Sequence, residues 1–391
     1  MHSHGVSFPG CSLCWLTHAV LPSLGSALLP CSELNNCLNG DAGAKTQADD
    51  FAALSQLVEE VWSGSAAAHK PMLIGPDTHS AAEYSDSGLQ WFSTFVNESK
   101  ARGDHVAGFT FHMYSMGNGK TLDAQKLDAS FLNADKLDHA HEGALALTKI
   151  AVDQGVQGRL WAGETASANN GGQGGITDTY IDGFWYLDQL GTLAALNVTV
   201  FQRQVLTSKS GYPMVLGKSD GSLLPLPDYW IALLHKQIMG QQVLKVRSSS
   251  RAVRVYAHCT SEAGAYGGGQ LALALINIAF APARIPHPTI GQGGVPAGSA
   301  HTICILTAGA KLPGAPNALQ SQETLLNGSP LRLPEGGGSL ADHALSMCQT
   351  SNASELVMPP TSYGFVVYHD IKLASCAMSG RRIGSGGGGH R

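Results

Sequence analysis

Charge is scarce in this sequence. Asp, Glu, Lys and Arg make up 14% of its 391 residues, and 24 basic against 29 acidic side chains leave a formal net charge of −5. A chain without a basic excess builds no field for a phosphate backbone, which argues against nucleic acid as a partner. The same balance does not favour a heparin-like polyanion. No stretch approaches the roughly eighteen apolar residues of a membrane span. Eight cysteines are too few for a disulfide-dense scaffold, and no pair has zinc-finger spacing. Cys11 and Cys14 form a CxxC without a second pair, so neither a metal nor another cofactor is expected. What remains is 43% hydrophobic, which suits a packed globular protein large enough for one big domain and a smaller one.

The most informative stretch is Leu160-Trp161-Ala162-Gly163-Glu164, followed by a polar, glycine-rich segment through Gly172. A short apolar run that ends in one acid is the pattern of a buried strand delivering a carboxylate to the C-terminal rim of a parallel sheet or barrel. The glycines that follow tolerate positive φ and let the backbone approach a ligand. A strand followed by a flexible loop with an incidental surface Glu fits the same spacing.

Further elements follow from periodicity. Thr46–Trp62 and Leu89–Lys100 have apolar residues at helical spacing, as do Lys136–Val152 and Thr179–Leu193. Pro71–Pro76 reads as a strand closed by proline. Val106–Tyr114 reads as a strand in which His112 and Tyr114 share a face. Asn197–Val205 is another strand, Asp220-Gly221 a hairpin turn, and Pro227 a helix entry. From about residue 243 the runs VRVYAHCT, LALALINIA, HTICILTA and YGFVVYH suggest a β-sandwich. Four sequons, at Asn97, Asn197, Asn327 and Asn352, lean towards a secreted chain.

The order of a glycine-glutamate strand end, a helix with FWYLDQLG, an RQ strand and PDYW opening the next helix resembles the heparanase-like β-glucuronidases of glycoside hydrolase family 79. The likeness covers most of residues 31–376. It implies a (β/α)8 TIM-barrel glycosidase followed by a β-sandwich, with Glu164 as the nucleophile of a retaining mechanism. Glu33, Leu34, Asn36 and Gly40 match the family's fourth strand, and the family's acid/base Glu falls on Cys37. A thiol with a reference pKa of about 8.5 holds a proton at neutral pH but is a weak donor. Cys37 also reads as a small buried hydrophobe. By the same resemblance Asn36, His112, Tyr114, Gly171, Gln204 and Tyr212 line the sugar site, although His112 alone would fit a satisfied core histidine. Asn169 stands where the family carries an aromatic, and Cys259 and Cys376 match a family disulfide pair.

Between Cys31 and about Gly240 only five strand-helix units are recognisable, matching the family's fourth to eighth, whereas a full barrel takes about 250 residues. The expected organisation is an unmatched segment 1–30, a partial barrel 31–242, a β-sandwich 243–378 and a glycine-rich tail 379–391. The chain reads as a fragment, with a chain that folds together with another as the alternative. The expected activity is hydrolysis of β-linked uronic-acid-containing glycans, impaired by Cys37, with a non-catalytic glycan-binding protein as the rival. An extracellular setting, with membrane or cell-wall association, goes with the resemblance.

Overall fold

In the computed structural model the described residues are 17–21, 25–29, 40–64, 69–78, 85–290, 293–296 and 298–376. They fall into two compact units, each drawn from three separate stretches of chain. The first takes the residues up to Gly117, then Asp138–Asn169 and Leu196–Gln204. The second takes Asn118–Leu137, Asn170–Ala195 and the chain from Val205 onward.

The first unit is built on a six-stranded sheet. Its strands are β1 (Thr17–Leu21), β2 (Gly25–Leu29), β3 (Met72–Thr78), β4 (Val106–Met113), β5 (Leu160–Thr165) and β6 (Val198–Arg203), hydrogen-bonded in that order. Strands β2 to β6 run parallel, and β1 folds back antiparallel onto β2. Strands β3 to β6 fall where the sequence reading places strands, and β2 precedes the stretch Ser32–Gly40 that was expected to hold a further one. Residues 30–39, with Asn36 and Cys37, lie outside the described residues.

Helices cover the sheet. Helix α1 (Gly40–Val61) begins a turn and a half earlier than periodicity suggests. Its buried stripe of Ala44, Ala48, Phe51, Ser55 and Val58 recurs every three or four residues. The Phe51 ring fills the space over Gly75, where a Cβ would stand 2.2 Å from Phe51 Cζ. Helix α2 (Asp86–Ala101) starts at Ser85, whose hydroxyl accepts from the Gly88 N–H at 3.1 Å. It sets Phe92 and Phe95 edge-on against Phe109 of β4. Helix α3 (Ala134–Asp153) follows β4 in the chain.

The second unit contains an antiparallel sheet in the order β17, β16, β15, β20, β11, β10, β9, with β18 also pairing β15. These strands are β9 (Met239–Leu244), β10 (Val253–Thr260), β11 (Gln270–Asn277), β15 (His301–Ala308), β16 (Thr324–Leu326), β17 (Ser329–Pro330), β18 (Gln349–Ser351) and β20 (Ser362–Lys372). The four runs read as strands from the sequence are β10, β11, β15 and β20. Two-stranded pairings add β7 (Val215–Gly217) to β8 (Leu223–Pro225), β12 (Ala283–Pro286) to β19 (Glu355–Met358), and β13 (Thr289–Ile290) to β14 (Gly293–Gly294). The turn at Asp220-Gly221 joins β7 to β8 as expected, with Gly221 at φ +82°.

Helix α4 (Asp182–Ala195) packs on β10 and β11, and helix α5 (Pro227–Ile238) on β9 and β20. Leu356 and Met358 of β19 join Leu271, Leu273, Leu275 and Val366 in one core. The FWYLDQLG segment of α4 is buried throughout except Leu190. Its charge, Asp188, is held by Arg254 and by the Tyr256 hydroxyl, since a buried carboxylate is tolerated only when paired. Helix α6 (Leu340–Ser346) precedes β18. Cys259 and Cys376 are disulfide-bonded, with Cα atoms 5.5 Å apart. A second disulfide, Cys304–Cys348, joins β15 to the end of α6.

Candidate active site

Three neighbouring parallel strands bring four polar side chains to their C-terminal ends, the rim where open and closed α/β sheets carry their sites. Asp77 comes from β3, His112 and Tyr114 from β4 and the residue beyond it, and Glu164 from β5. His112 pairs in register with Glu164. The Tyr114 hydroxyl donates a hydrogen bond to Glu164 Oε1. His112 Nδ1 stands 4.0 Å from the same oxygen, and His112 Nε2 lies 2.9 Å from Asp77 Oδ2. Burial grades along this row. The side chains of His112 and Asp77 are 1% and 5% exposed, whereas that of Glu164 is 32% exposed. Glu164 is the most open of the three, and Asp77 and His112 stand behind it.

Two irregularities in the ladders create this geometry. Pro76 pairs with Thr110 and Thr78 with Phe111, so Asp77 is an extra residue on β3. Its φ of +58° lies in the left-handed region that Asp tolerates better than most residues. On β5, Ala162 pairs with Phe111 and Glu164 with His112, so Gly163 is likewise extra. Bulges of this kind re-aim side chains beside functional sites. The two fit together: a Cβ on Gly163 would stand 2.4 Å from Asp77 Oδ1 and 3.0 Å from Thr110 Cβ. Glycine at 163 is therefore what lets Asp77 sit beside His112.

The strand-end logic that singles out Glu164 also applies to Met72-Leu73-Ile74-Gly75-Pro76-Asp77, an apolar run ending in an acid. Asp77 carries the same signal in the sequence. Of the residues expected to line the site, His112, Tyr114 and Glu164 come together. Gln204 follows β6, and its N–H donates to the Thr165 carbonyl at 2.8 Å.

Gly171 and Tyr212 belong to the second unit, where their loops are joined. The Gly211 N–H donates to the Gly171 carbonyl at 2.6 Å, and a Cβ on Gly172 would stand 2.5 Å from Tyr212 Cδ1. Asn170, Gly171 and Gly172 have φ values of +55°, +82° and +65°. Three consecutive left-handed residues explain the glycine content of this loop. Asp178 anchors its far end, accepting from the Gly175 N–H at 2.6 Å and from Gln322 Nε2 at 2.8 Å, and burial raises its carboxyl above the usual range. Among the described residues no group of three or more His, Cys, Asp or Glu could hold a metal ion. No helix among them is long and apolar enough to cross a membrane.

Residues 31–191 match the model of the glycosyl hydrolase family 79 N-terminal domain. Beyond this segment the likeness continues. The chain is 31% identical to the heparanase of Bos taurus over 334 residues, covering 84% of this chain and 55% of the relative. It is 32% identical to the baicalin-β-D-glucuronidase of Scutellaria baicalensis over 328 residues, covering 82% and 54%. The chain thus spans about half the length of the curated relatives it matches. Among solved structures, a 4-O-α-L-rhamnosyl-β-D-glucuronidase from Fusarium oxysporum superposes with a TM-score of 0.51 at 16% identity, covering 82% of this chain and 64% of that one. At that identity the likeness concerns the fold. The match to the family 79 model and the mixed α/β fold with a parallel sheet agree with the sequence reading.

Proposed function

We propose that the protein is a retaining glycoside hydrolase acting on β-linked uronic-acid-containing glycans, with Glu164 as its nucleophile. The observation that carries this reading is the state of Glu164. It is a partly exposed carboxylate at the end of a parallel strand, with one oxygen fixed by the Tyr114 hydroxyl and backed by His112. Retaining hydrolysis needs such a group to attack the anomeric carbon while a second group protonates the departing oxygen. Water then cleaves the glycosyl ester. A substrate of this class is supported by relatives named as a heparanase and a glucuronidase. Asn36, His112, Tyr114, Gln204, Gly171 and Tyr212 are the proposed sugar contacts.

Cys37 stands where the family's acid/base Glu is expected. Loss of positioned acid–base catalysis typically lowers the rate about 10²- to 10⁴-fold, so turnover of natural glycans is expected to be weak. The parallel sheet is read as the later strands of a (β/α)8 barrel, and the C-terminal sheets as the accessory β-sandwich. The two disulfides and the sequons support an oxidising, extracellular setting, with membrane or cell-wall association in keeping with it.

The test is hydrolysis of an aryl β-glucuronide by the wild type and by Cys37→Glu, together with labelling of Glu164 by 2-deoxy-2-fluoro-β-glucuronyl fluoride. That reagent needs little protonation of its leaving group, so Glu164 should be labelled even with Cys37 in place. Faster hydrolysis by Cys37→Glu is the expected rescue, and absence of labelling in folded protein overturns the assignment. Cys37 itself favours one second reading, a glycan-binding protein without turnover. Affinity for uronides with neither labelling nor rescue would select it.

A further inference from the structure

Resting on the assignment of Glu164 as nucleophile, we propose that Asp77 is a positioning residue. It fixes the His112 ring with Nε2 carrying a proton and Nδ1 turned toward Glu164. Neither composition nor the family motifs singled out this residue. The inference starts from burial. An acid only 4% exposed costs free energy unless a partner compensates it, and the polar atom that stands 2.9 Å from its Oδ2, at ion-pair distance, is His112 Nε2. Two lone pairs cannot face each other at this distance, and with Asp77 as the carboxylate the hydrogen sits on Nε2. A second carbonyl or carboxylate partner setting the tautomer of a working imidazole is a general device.

The backbone is shaped for this contact. Asp77 adopts a left-handed conformation on a bulged strand, and Gly163 supplies the gap for its other oxygen. That oxygen, Oδ1, has no hydrogen-bond partner among the described residues. A carboxylate serving only to stabilise the fold would be expected to satisfy both oxygens. Here one oxygen serves the imidazole and the other lies against the bulge that brings Glu164 into register with His112.

The consequence concerns Glu164. Its neighbours at this rim are Tyr114 and His112 from β4 and, through the ring, Asp77 from β3. With Nε2 held, the ring meets the nucleophile through Nδ1 alone, the atom 4.0 Å from Oε1. As the carboxylate spends its charge in the glycosyl ester and regains it on release, the ring atom that faces it is Nδ1. Without Asp77 the ring can rotate or exchange tautomers, and the face presented to Glu164 is no longer defined.

The experiment follows labelling of the intact chain with 2-deoxy-2-fluoro-β-glucuronyl fluoride. The Glu164 oxygen forms a bond to the anomeric carbon, and fluoride leaves with the electron pair of the broken bond. Asp77→Ala should lower the maximal labelling rate about 10- to 100-fold while the half-saturating reagent concentration stays unchanged. Introduced into His112→Gln, the same substitution should add less than about 2-fold, because the two residues act as one coupled pair. An equal loss in both backgrounds, or wild-type labelling by Asp77→Ala, overturns the proposal.

A measurement on the wild type guards against variants that fail to fold. Long-range ¹H–¹⁵N correlation, with the His112 signals assigned by their loss in His112→Gln, should find the proton on Nε2. A ring protonated on Nδ1 alone overturns the proposal. Absence of labelling in the wild type would instead defeat the reading of Glu164 as nucleophile and leave the tautomer measurement standing.

Discussion

Tyr114 and Glu164, on adjoining strands of the parallel sheet, are joined by a hydrogen bond from the phenol to Oε1. Fifty residues apart in the chain, they meet because β4 and β5 are parallel neighbours. Hydrogen bonds to a charged group contribute about 1.5–3 kcal/mol. Tyr114→Phe keeps the ring and removes the donor, so it should slow covalent labelling of Glu164 about 10- to 100-fold and lower the melting temperature by a few degrees. A labelling time course with a thermal melt checks both.

Gly163→Ala places a methyl group 2.4 Å from Asp77 Oδ1 and 3.0 Å from Thr110 Cβ. Neither neighbour is at the loose end of a long side chain. Overpacking of this kind costs about 1–3 kcal/mol. The variant should unfold at lower urea concentration, and the labelling rate of its folded fraction should fall as Asp77 is pushed aside.

Arg254 and Asp188 form an ion pair in which the acid is fully buried and the guanidinium 12% exposed. Removing one partner of a buried pair typically costs about 3–5 kcal/mol, because the other charge is stranded. Arg254→Met should show that loss in denaturant titrations. Arg254→Met combined with Asp188→Leu should recover part of it.

His235 and His258 lie with their rings 5.9 Å apart in an edge-to-face contact. Burial first, and then His258, lowers the His235 pKa to about 3, and burial also lowers that of His258. Both groups are held neutral in the folded chain, while the unfolded chain binds protons near the usual 6.5. Stability from this source is therefore fully present above about pH 6.5 and is lost as pH falls toward the folded values. Each group contributes a slope of about 1.4 kcal/mol per pH unit inside that window. Unfolding free energies at pH 7.5 and 4.5 should differ less in His235→Leu than in the wild type.

Asn327 sits in a sequon, yet its amide is fully engaged. Nδ2 donates to the Ile303 and Met347 carbonyls at 2.9 Å each, and Oδ1 accepts from the Ile305 N–H at 3.0 Å. Its φ is +48°. When the chain is made in a glycosylating host, peptide mass analysis should find no glycan at Asn327, in contrast to the exposed Asn97 and Asn352. Asn327→Ala, which strands those backbone groups in a left-handed turn, should destabilise by about 1–3 kcal/mol.

The parts of this architecture that obey a period could be read from residues alone. The strand ending at Glu164, the shared face of His112 and Tyr114, and the runs that became β10, β11, β15 and β20 all follow alternation or apolar length. What broke the period was hidden. The bulges at Asp77 and Gly163 insert one residue each, and no pattern of side chains announces an extra backbone unit. The burial of Asp188 could not be foreseen either, since its partner Arg254 lies 66 residues away. The pairing of Cys304 with Cys348 depends on strand register and not on spacing.

The two compact units each claim three stretches of one chain, interleaved along it. Neither can be excised by a single cut, nor exchanged with another protein at one crossover. The stretch between the strand of Glu164 and the strand of Gln204 runs through the other unit, so a recombination event within either would leave both incomplete.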